Sequence, residues 1–418
     1  MLIIKGGKAL TWKIKVSGSK NAALPILWAA LLLKGKVRLK WMPNIWDVNT
    51  FLDIMSNIWV KYKFIGDTLE FDSSNISKDN LDLEKIKKIR ASIFLLSPLL
   101  YFFWNISIPF PWGCNIWKRP IDAHLNWLQA IGYDYKIDDE EIILEWKLES
   151  WDKTINAWFW VSSTENLIVA NVLRKWVTTI ELAGIEPHVM NLVDFLRAAG
   201  ADIKIRYNHT IIVTWVKELR DDFEFNIISD YIQSWTYMVL GALAAEKYID
   251  IENARIQDLY AFIEKLKDAW VQVENLWNDT LRVFKSERLK TVSIQTNIFP
   301  GFPTDLQSPF AVLMTQAKWT NKVHEILFEG RLNFLVELEK MQANVALLNP
   351  HEALIFGPSP LKWGVSVTSW DLRAWAAMVI AWLIAEWTTK VTKVEYIHRG
   401  YENFVENLQS LWADIEEV

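Results

Sequence analysis

Apolar residues recur at helical spacing along most of the chain, and each such segment ends in a short break that a β-rich segment follows. The breaks are separated by 68–73 residues and lie at Trp59, Gly132, Gly200, Trp270, Gln342 and Trp412. A second series has a similar period and precedes segments such as KVRLK and TTKVTKV; it consists of Gly35, Trp104, Trp176, Lys247, Trp319 and Trp387. Two series with one period predict an internal repeat of six units, each reading strand, helix, strand, helix.

A charged stretch, Val216–Ser229, separates the first three units from the last three and contains KELRDDFEF. Such a composition is typical of a connection between domains. The pattern therefore predicts an α/β protein with two similar lobes of three units each. We expect a small-molecule site in a cleft between the lobes, where such sites are common.

Tryptophan is unusually frequent, because 25 Trp against 15 Gly reverses the usual order of these residues. At equivalent positions of the repeat, where a helix ends, some units have glycine and others tryptophan. The residue that ends a helix often has a positive φ, which suits glycine and strains a bulky aromatic residue. We hypothesise that many tryptophans stand where the cell inserts glycine, for example at a reassigned UGA codon. The alternative is a tryptophan-rich protein with unusual helix ends.

Charge and cysteine content narrow the class of protein. The net charge of −5 offers no overall field for nucleic acid or an anionic membrane, so an anionic substrate needs a local cluster of Lys and Arg. The single cysteine excludes an internal disulfide and fits a reducing cytoplasm. No secretion signal is visible, and the apolar run Ser92–Trp104 is too short for a membrane span. We expect a cytoplasmic protein that does not bind nucleic acid or membrane.

Two segments in the first half of the chain could carry chemistry. In VSGSKNAALPIL, Lys20 and Asn21 stand at the start of a predicted helix, which suits a phosphate or carboxylate but also an ordinary capping turn. In Pro109–Leu125, Cys114 lies in a Pro- and Gly-containing loop before Lys118 and Arg119, whose charges favour a reactive thiolate. A small buried residue is the alternative for this cysteine. Neither a Walker A loop nor a GxGxxG motif occurs.

The second half of the chain offers an acidic residue and three arginines. In FPGFPTDLQSPF, Asp305 is either the N-cap of a helix or a rigidly held general base. Arg331, Arg373 and Arg399 each lie near the predicted start of a repeat helix, where they are either solvated or converge on a doubly anionic ligand. The six histidines and one cysteine form no metal-binding pattern, so we expect no metal.

Eight of these motifs resemble the UDP-N-acetylglucosamine 1-carboxyvinyltransferase family of enolpyruvyl transferases in order and spacing, from Lys5 to Glu417. They are VSGSKNAALPI, IRASI, PWGCNIWKRPIDAHL, AGIEPHV, FPTDLQ, FEGR, DLRAWAA and HRGYE. The resemblance implies a two-lobed inside-out α/β barrel with six βαβα-type repeats, three per lobe. It also implies that the chain crosses between lobes twice, with residues 21–228 in one lobe and residues 1–20 plus 229–418 in the other.

The family activity implied by this resemblance is transfer of the enolpyruvyl group of phosphoenolpyruvate to the 3′-hydroxyl of UDP-N-acetylglucosamine. Phosphate is released, and the step is the first committed one of peptidoglycan synthesis. Neither a metal, an organic cofactor nor an obligate protein partner is implied.

The resemblance also assigns roles to single residues. Lys20, Arg119 and Arg399 match the positions that hold the phosphoenolpyruvate anion, and Asp305 matches the proposed base at the 3′-hydroxyl. Cys114 matches the loop cysteine that takes part in C3 protonation or product release and is alkylated by fosfomycin. The nucleotide-sugar contacts match Asn21, Arg90, Pro120, Asp122, His124, Val161, Ser162 and Leu327. The charged rim that helps to close the cleft matches Arg331, Asp371 and Arg373.

The chain departs from the family at several positions. Tyr231 and Gln233 replace an arginine and an acidic residue, and Trp160 stands where the family has a small residue. Tryptophans also occupy glycine positions of the cysteine loop or flank DLRA, namely Trp112, Trp117, Trp370 and Trp375. The alternatives to the implied activity are a shikimate-type enolpyruvyl transferase, a catalytically silent paralogue with a binding role, and a structural repeat protein.

Overall fold

The computed structural model describes residues 1–77, 95–103, 105–109, 122–138, 141–146, 151–362, 372–391 and 395–417. It is an α/β structure, as the hydrophobic pattern predicts. The strands are β1 (Leu2–Lys5), β2 (Lys13–Lys15), β3 (Lys36–Lys40), β4 (Lys61–Ile65), β5 (Thr68–Asp72), β6 (Ile106–Pro109), β7 (Tyr133–Asp138), β8 (Glu141–Trp146), β9 (Lys153–Asn156), β10 (Val177–Glu181), β11 (Asp202–Arg206), β12 (Thr210–Thr214), β13 (Phe223–Asn226), β14 (Tyr248–Glu252), β15 (Val273–Asn275), β16 (Leu281–Phe284), β17 (Ser293–Gln295), β18 (Trp319–His324), β19 (Asn344–Asn349), β20 (Glu352–Gly357), β21 (Thr388–Val391) and β22 (Asp414–Glu417).

The helices alternate with these strands. They are α1 (Lys20–Leu31), α2 (Trp46–Asn57), α3 (Leu96–Phe103), α4 (Asp122–Ala130), α5 (Val161–Asn171), α6 (Pro187–Ala198), α7 (Tyr231–Ala244), α8 (Tyr260–Asp268), α9 (Gln307–Gln316), α10 (Leu335–Lys340), α11 (Leu372–Ile384), α12 (Glu395–His398) and α13 (Phe404–Ser410). Short 3₁₀ turns occupy Ile256–Asp258, Thr304–Leu306 and Arg331–Phe334.

Both series of breaks correctly predict where strands follow. The first series precedes β4, β7, β11, β15, β19 and β22, and the second precedes or begins β3, β6, β10, β14, β18 and β21. The predicted unit of strand, helix, strand, helix is incomplete, however, because a unit such as β9–α5–β10–α6–β11–β12 ends in an antiparallel hairpin. The second hairpin strand was missed because it is short and follows its partner after a tight turn.

The described strands form six sheets with a common plan. Their orders are β13-β3-β5-β4, β6-β8-β7, β11-β12-β10-β9, β15-β16-β14-β2, β17-β18-β20-β19 and β21-β1-β22. Each four-stranded sheet has one parallel pair, such as β9 with β10, and is otherwise antiparallel. The parallel pair β9 and β10 requires a crossover, and helix α5 supplies it, whereas the hairpin strands need only a turn.

The chain divides into two compact units. One consists of Met1–Ser17 with Ser229–Val418, and the other of Gly18–Ile228. The N-terminal segment joins the unit of the C-terminal half through β2, which pairs with β14, whereas β13 at the end of Gly18–Ile228 pairs with β3 near its start. The expected boundary lies after Lys20, whereas the observed one lies three residues earlier, after Ser17. Lys20 begins helix α1, and this helix belongs to the core of Gly18–Ile228.

Helices lie inside each unit and the sheets cover them. In the unit containing the C-terminal half, α7, α9 and α11 are almost fully buried and contact one another. In Gly18–Ile228, helices α1, α3 and α5 play the same part. A helix that is buried on nearly all sides needs no polar outer face, which explains why α1 and α11 are apolar along most of their length. No helix among the described residues is long and apolar enough to cross a membrane.

Candidate active site

Asp305 lies between two arginines that are far from it in sequence. Its carboxylate forms an ion pair with Arg331 through Oδ1, and Arg373 Nε lies 3.6 Å from Oδ2. Both arginine side chains are buried, with 9% and 5% exposed, whereas 29% of the Asp305 side chain remains accessible. The carboxylate is therefore rigidly held and still open to a ligand.

The surroundings of Asp305 bear on the two interpretations of this residue. Asp305 lies within the 3₁₀ turn Thr304–Leu306, and neither this turn nor helix α9 has a side-chain N-cap hydrogen bond. Asp305 is the N-cap residue of neither element, and two guanidinium groups engage its carboxylate. A fixed, accessible carboxylate is what a general base requires.

A second carboxylate, Glu325, holds the turn that carries Asp305. It is fully buried and accepts five hydrogen bonds, from Thr296 Oγ1, Thr304 Oγ1, Gln307 Nε2 and the backbone N–H groups of Leu327 and Phe328. Glu325 thereby connects Thr304, the residue before Asp305, to Leu327 and Phe328, which begin the segment that leads to Arg331. The role of Glu325 could not be predicted, because a single Glu in the sequence gives no sign of five donors around it.

Arg373 is held from its other side by the buried residues Asp230 and Tyr401. Asp230 Oδ1 accepts from Ile232 N and Gln233 N at 2.9 and 3.2 Å and so caps α7. Burial opposes the charge of the Arg373 guanidinium, but Tyr401, Asp230 and Asp305 outweigh this effect and raise its pKa above the ordinary value. Burial also disfavours the charged form of the Asp230 carboxyl, and for this acidic group the result is a raised pKa.

The structure corrects the expected placement of the arginines. Arg331 begins the 3₁₀ turn before α10 and Arg373 is the second residue of α11, so both lie at helix starts as predicted. Arg399 directly follows the end of α12 and precedes α13 by several residues, so its predicted place at a helix start is wrong. Arg373 is buried, which excludes the interpretation that it is a solvated helix end.

In the unit Gly18–Ile228, Lys20 is the first residue of α1, and Asn21 follows it half-buried. The Lys20 ammonium forms an ion pair with Asp47 near the start of α2, and only 15% and 5% of the two side chains are exposed. The ammonium is thus fixed beside the N-terminus of α1, where backbone N–H groups also favour an anion. Asp47 was not predicted, because an acidic residue in a first helical turn is common.

His124 and Ser162 are brought together in the same unit. His124 Nε2 lies 3.1 Å from Ser162 Oγ, and Trp127 Nε1 donates to His124 Nδ1 at 3.3 Å. Because Nδ1 accepts, the proton of the neutral imidazole belongs on Nε2, which then donates to Ser162. Ser162 and Val161 form the start of helix α5, so two predicted sugar-binding segments meet at one place.

Gly184 permits a loop to approach the start of this helix. Its backbone N–H donates to Thr164 Oγ1 at 2.8 Å. A Cβ atom at position 184 would lie 3.2 Å from Val161 Cα and 2.8 Å from Glu186 Oε2. Because Gly184 has no side chain, the loop before α6 can pack closely against the first turn of α5.

Glu165 is a buried carboxyl one turn into α5. Among the residues that the structure describes, Glu165 Oε1 has no hydrogen-bond partner, and His188 Nε2 lies 4.0 Å away, too far for a hydrogen bond. Burial, with a smaller contribution from the charge of Glu186, raises the pKa of Glu165 well above its ordinary value.

The raised pKa of Glu165 predicts a pH-dependent gain in stability for Glu165→Gln. In the parent protein, ionisation is less favourable in the folded state, so stability is lost as pH rises from the ordinary pKa of Glu through the folded pKa. The glutamine variant does not lose it, so its stability relative to the parent protein should be higher at pH 8 than at pH 4. Urea unfolding of the parent protein and the variant at pH 4 and pH 8 measures the difference between their free energies of unfolding. The same difference at both pH values would contradict the prediction.

Several predicted site residues lie outside the described residues, namely Arg90, Cys114, Arg119, Pro120 and Asp371, as do Trp112, Trp117 and Trp370. Asp122 is the first residue of α4. Within the described ranges, no three His, Cys, Asp or Glu residues converge closely enough to hold a metal ion.

Comparison with known proteins decides the family. The family model for EPSP synthase (3-phosphoshikimate 1-carboxyvinyltransferase) matches residues 4–408. A protein named UDP-N-acetylglucosamine 1-carboxyvinyltransferase from Halothermothrix orenii is 36% identical, covering 100% of this chain and 99% of that protein. Proteins of the same name from Streptococcus agalactiae (number 1) and Carboxydothermus hydrogenoformans (number 2) are 35% and 36% identical with the same coverage.

This chain belongs to the UDP-N-acetylglucosamine 1-carboxyvinyltransferase family of enolpyruvyl transferases. Solved structures share its fold. The enolpyruvyl transferase NikO from Streptomyces tendae matches with a TM-score of 0.91 at 22% identity, over 100% of this chain and 98% of that one. EPSP synthase from Acinetobacter baumannii matches with a TM-score of 0.76 at 16% identity, over 100% and 99%. The resemblance seen in the motifs and the expected fold class are thus confirmed.

Two departures from the family pattern have a structural account. Gln233 is fully buried in α7, and its Oε1 accepts from Ser17 N at 2.7 Å and Ser17 Oγ at 3.1 Å. Tyr231 is also buried and packs edge-to-face on Trp235, with ring centroids 5.7 Å apart. A neutral pair thus replaces the arginine and acidic residue of the family, and neither residue brings a net charge into this part of the core.

Proposed function

We propose that this chain transfers the enolpyruvyl group of phosphoenolpyruvate to the 3′-hydroxyl of UDP-N-acetylglucosamine, releasing phosphate. This would be the first committed step of peptidoglycan synthesis, carried out in the cytoplasm without a metal, an organic cofactor or an obligate protein partner. The names of full-length relatives support the substrate pair. The observation that carries the chemistry is the accessible Asp305 carboxylate fixed by two buried arginines.

Asp305 acts as the base in this proposal. It accepts the proton of the sugar 3′-hydroxyl while that oxygen bonds to C2 of phosphoenolpyruvate and C3 gains a proton. Loss of a proton from C3 and departure of phosphate from C2 then restore the double bond. Arg331 and Arg373 keep the carboxylate in place, and an ionised carboxylate is the form that accepts a proton.

The anion of phosphoenolpyruvate is assigned to Lys20, Arg119 and Arg399. Lys20 is supported by its position at the start of α1, where ammonium and backbone N–H groups can both face an anion. Cys114 is assigned to C3 protonation or product release and is the residue that fosfomycin would alkylate. Such fixed cations stabilise the negative charge that develops on the departing phosphate.

The nucleotide sugar is assigned to the family positions that the resemblance names. Among the residues that the structure describes, the proposed contacts include the hydrogen-bonded pair His124 and Ser162 and the start of α5. Together they comprise Asn21, His124, Val161, Ser162 and Leu327, with Arg90, Pro120 and Asp122 from the sequence. Arg331, Asp371 and Arg373 complete the proposed charged rim.

Replacing Lys20 by alanine tests the anion site. We expect kcat/KM for phosphoenolpyruvate to fall by about 10²–10³, since one charged donor to the transition state is lost. Asp47 would also lose its partner, so circular dichroism must first show that the variant is folded. The matched control is Lys36→Ala at an exposed position of the same unit, which should leave the rate unchanged. Equal effects of both variants would remove Lys20 from the site.

Phosphate release from phosphoenolpyruvate tests the function, with UDP-N-acetylglucosamine and shikimate 3-phosphate as alternative acceptors. We expect release only with the nucleotide sugar. Release only with shikimate 3-phosphate would retain the family and change the pathway. No release with either acceptor, from a folded protein, would favour a catalytically silent paralogue.

A further inference from the structure

Six helices of the repeat end in the same backbone motif. In each of them, the residue just after the helix cap has a positive φ: 70° at Trp59, 102° at Gly132, 97° at Gly200, 64° at Trp270, 70° at Gln342 and 72° at Trp412. These are the positions of the first series of breaks, so one structural role recurs in every unit. The role is the left-handed residue that closes a helix, for which glycine is the usual choice.

The hydrogen bonds at these ends are also the same. Trp270 N donates to Lys267 O at 2.9 Å and Val271 N to Leu266 O at 2.9 Å. At the glycine-containing end, Gly200 N donates to Arg197 O at 2.9 Å and Ala201 N to Leu196 O at 2.9 Å. Both patterns are Schellman motifs, so the tryptophan and glycine ends are geometrically equivalent.

Tryptophan is also the most frequent non-glycine residue with a positive φ among the described residues. Among the described residues, eight tryptophans have a positive φ, against seven Asn, Asp and His together. Asn, Asp and His are the residues that tolerate this region, whereas a bulky aromatic residue there is an outlier. The eight positions are Trp12, Trp41, Trp59, Trp158, Trp270, Trp319, Trp387 and Trp412.

Packing does not account for these aromatic side chains. All eight are exposed, from 39% at Trp41 to 76% at Trp319. Trp28 shows the opposite behaviour: it is 1% exposed within α1 and packs edge-to-face on Phe51, with ring centroids 5.6 Å apart. The side chains in the strained conformation therefore bury little apolar surface that could offset the strain.

We propose that glycine occupies these eight positions in the protein as its own cell makes it, through UGA codons reassigned from stop to glycine. Reading the same codon as tryptophan yields the residues seen here. This inference stands on backbone geometry and the repeat, and is independent of the proposed function.

The gene and the native protein test the proposal directly. We expect UGA at all eight codons, and we expect peptides that span these positions, isolated from the protein's own cells, to have the mass of the glycine form. Tryptophan in those peptides would overturn the proposal whatever the codon, and so would UGG codons in the gene.

The physical basis is tested by substitution in the full chain. Trp270→Gly should raise the melting temperature by about 2–4 °C, because glycine adopts the left-handed conformation without strain. The matched control, Trp28→Gly, should lower it, because a buried side chain is lost from a helix with negative φ. A melting temperature that falls in the Trp270 variant as it does in the control would show that the aromatic residue belongs at this helix end.

Discussion

Asp305→Asn is expected to lower kcat by about 10²–10⁴, the range for losing a general base. Asparagine keeps the size of the side chain but cannot accept the proton of the 3′-hydroxyl. Substrate binding should change much less, because Arg331 and Arg373 remain in place. Steady-state kinetics with both substrates varied separates the loss in kcat from any change in KM.

The control for Asp305 must remove a carboxylate without touching the site. Glu339→Gln does so, because Glu339 is exposed in α10 of the same unit. It should leave both kinetic parameters unchanged. A kcat for Asp305→Asn within a few-fold of the parent value would contradict the role of Asp305 as base.

Glu325→Ala is expected to have the largest effect on stability, a loss of about 4 kcal/mol or more in the free energy of unfolding. The change leaves five donors, three of them side-chain groups and two backbone N–H groups, without their acceptor. Each unmet buried donor costs about 1–3 kcal/mol, although water entering the cavity would recover a part. Urea unfolding followed by tryptophan fluorescence measures the loss.

A conservative variant separates stability from positioning. Glu325→Gln keeps one acceptor oxygen and should lose less stability, so its kinetics can be measured on folded protein. We expect kcat to fall in this variant, because the carboxylate holds both Thr304, the residue before Asp305, and Leu327. Glu339→Ala is the control and should change neither property. A loss for Glu325→Ala no greater than for Glu339→Ala would contradict the anchoring role.

The fold could be predicted from local patterns where these are repeated. The hydrophobic period and the breaks predict the strands that follow each helix in all six units, because the same helix end recurs at Trp59, Gly132 and Gly200. The second hairpin strands, such as β5 and β12, were missed. Their pairing depends on contact with a neighbouring strand, which the sequence pattern of so short a segment does not reveal.

The site was predicted less completely than the fold. The motifs indicated Asp305, Arg331 and Arg373, but the direct pairing of Asp305 with both arginines follows only from the tertiary structure. Asp47, Asp230 and Glu325 were missed for the same reason. An acidic residue is common on the surface, and only its burial beside a cation or several donors distinguishes these.

Product analysis tests the central claim most directly. The chain is incubated with phosphoenolpyruvate and UDP-N-acetylglucosamine, and the nucleotide-sugar product is examined by carbon and proton NMR. The proposed function predicts an enolpyruvyl ether in which C2 of the enolpyruvyl group is bonded to the 3′-oxygen, with one phosphate released per product. An unchanged nucleotide sugar, or an enolpyruvyl group on a different acceptor such as shikimate 3-phosphate, would contradict it.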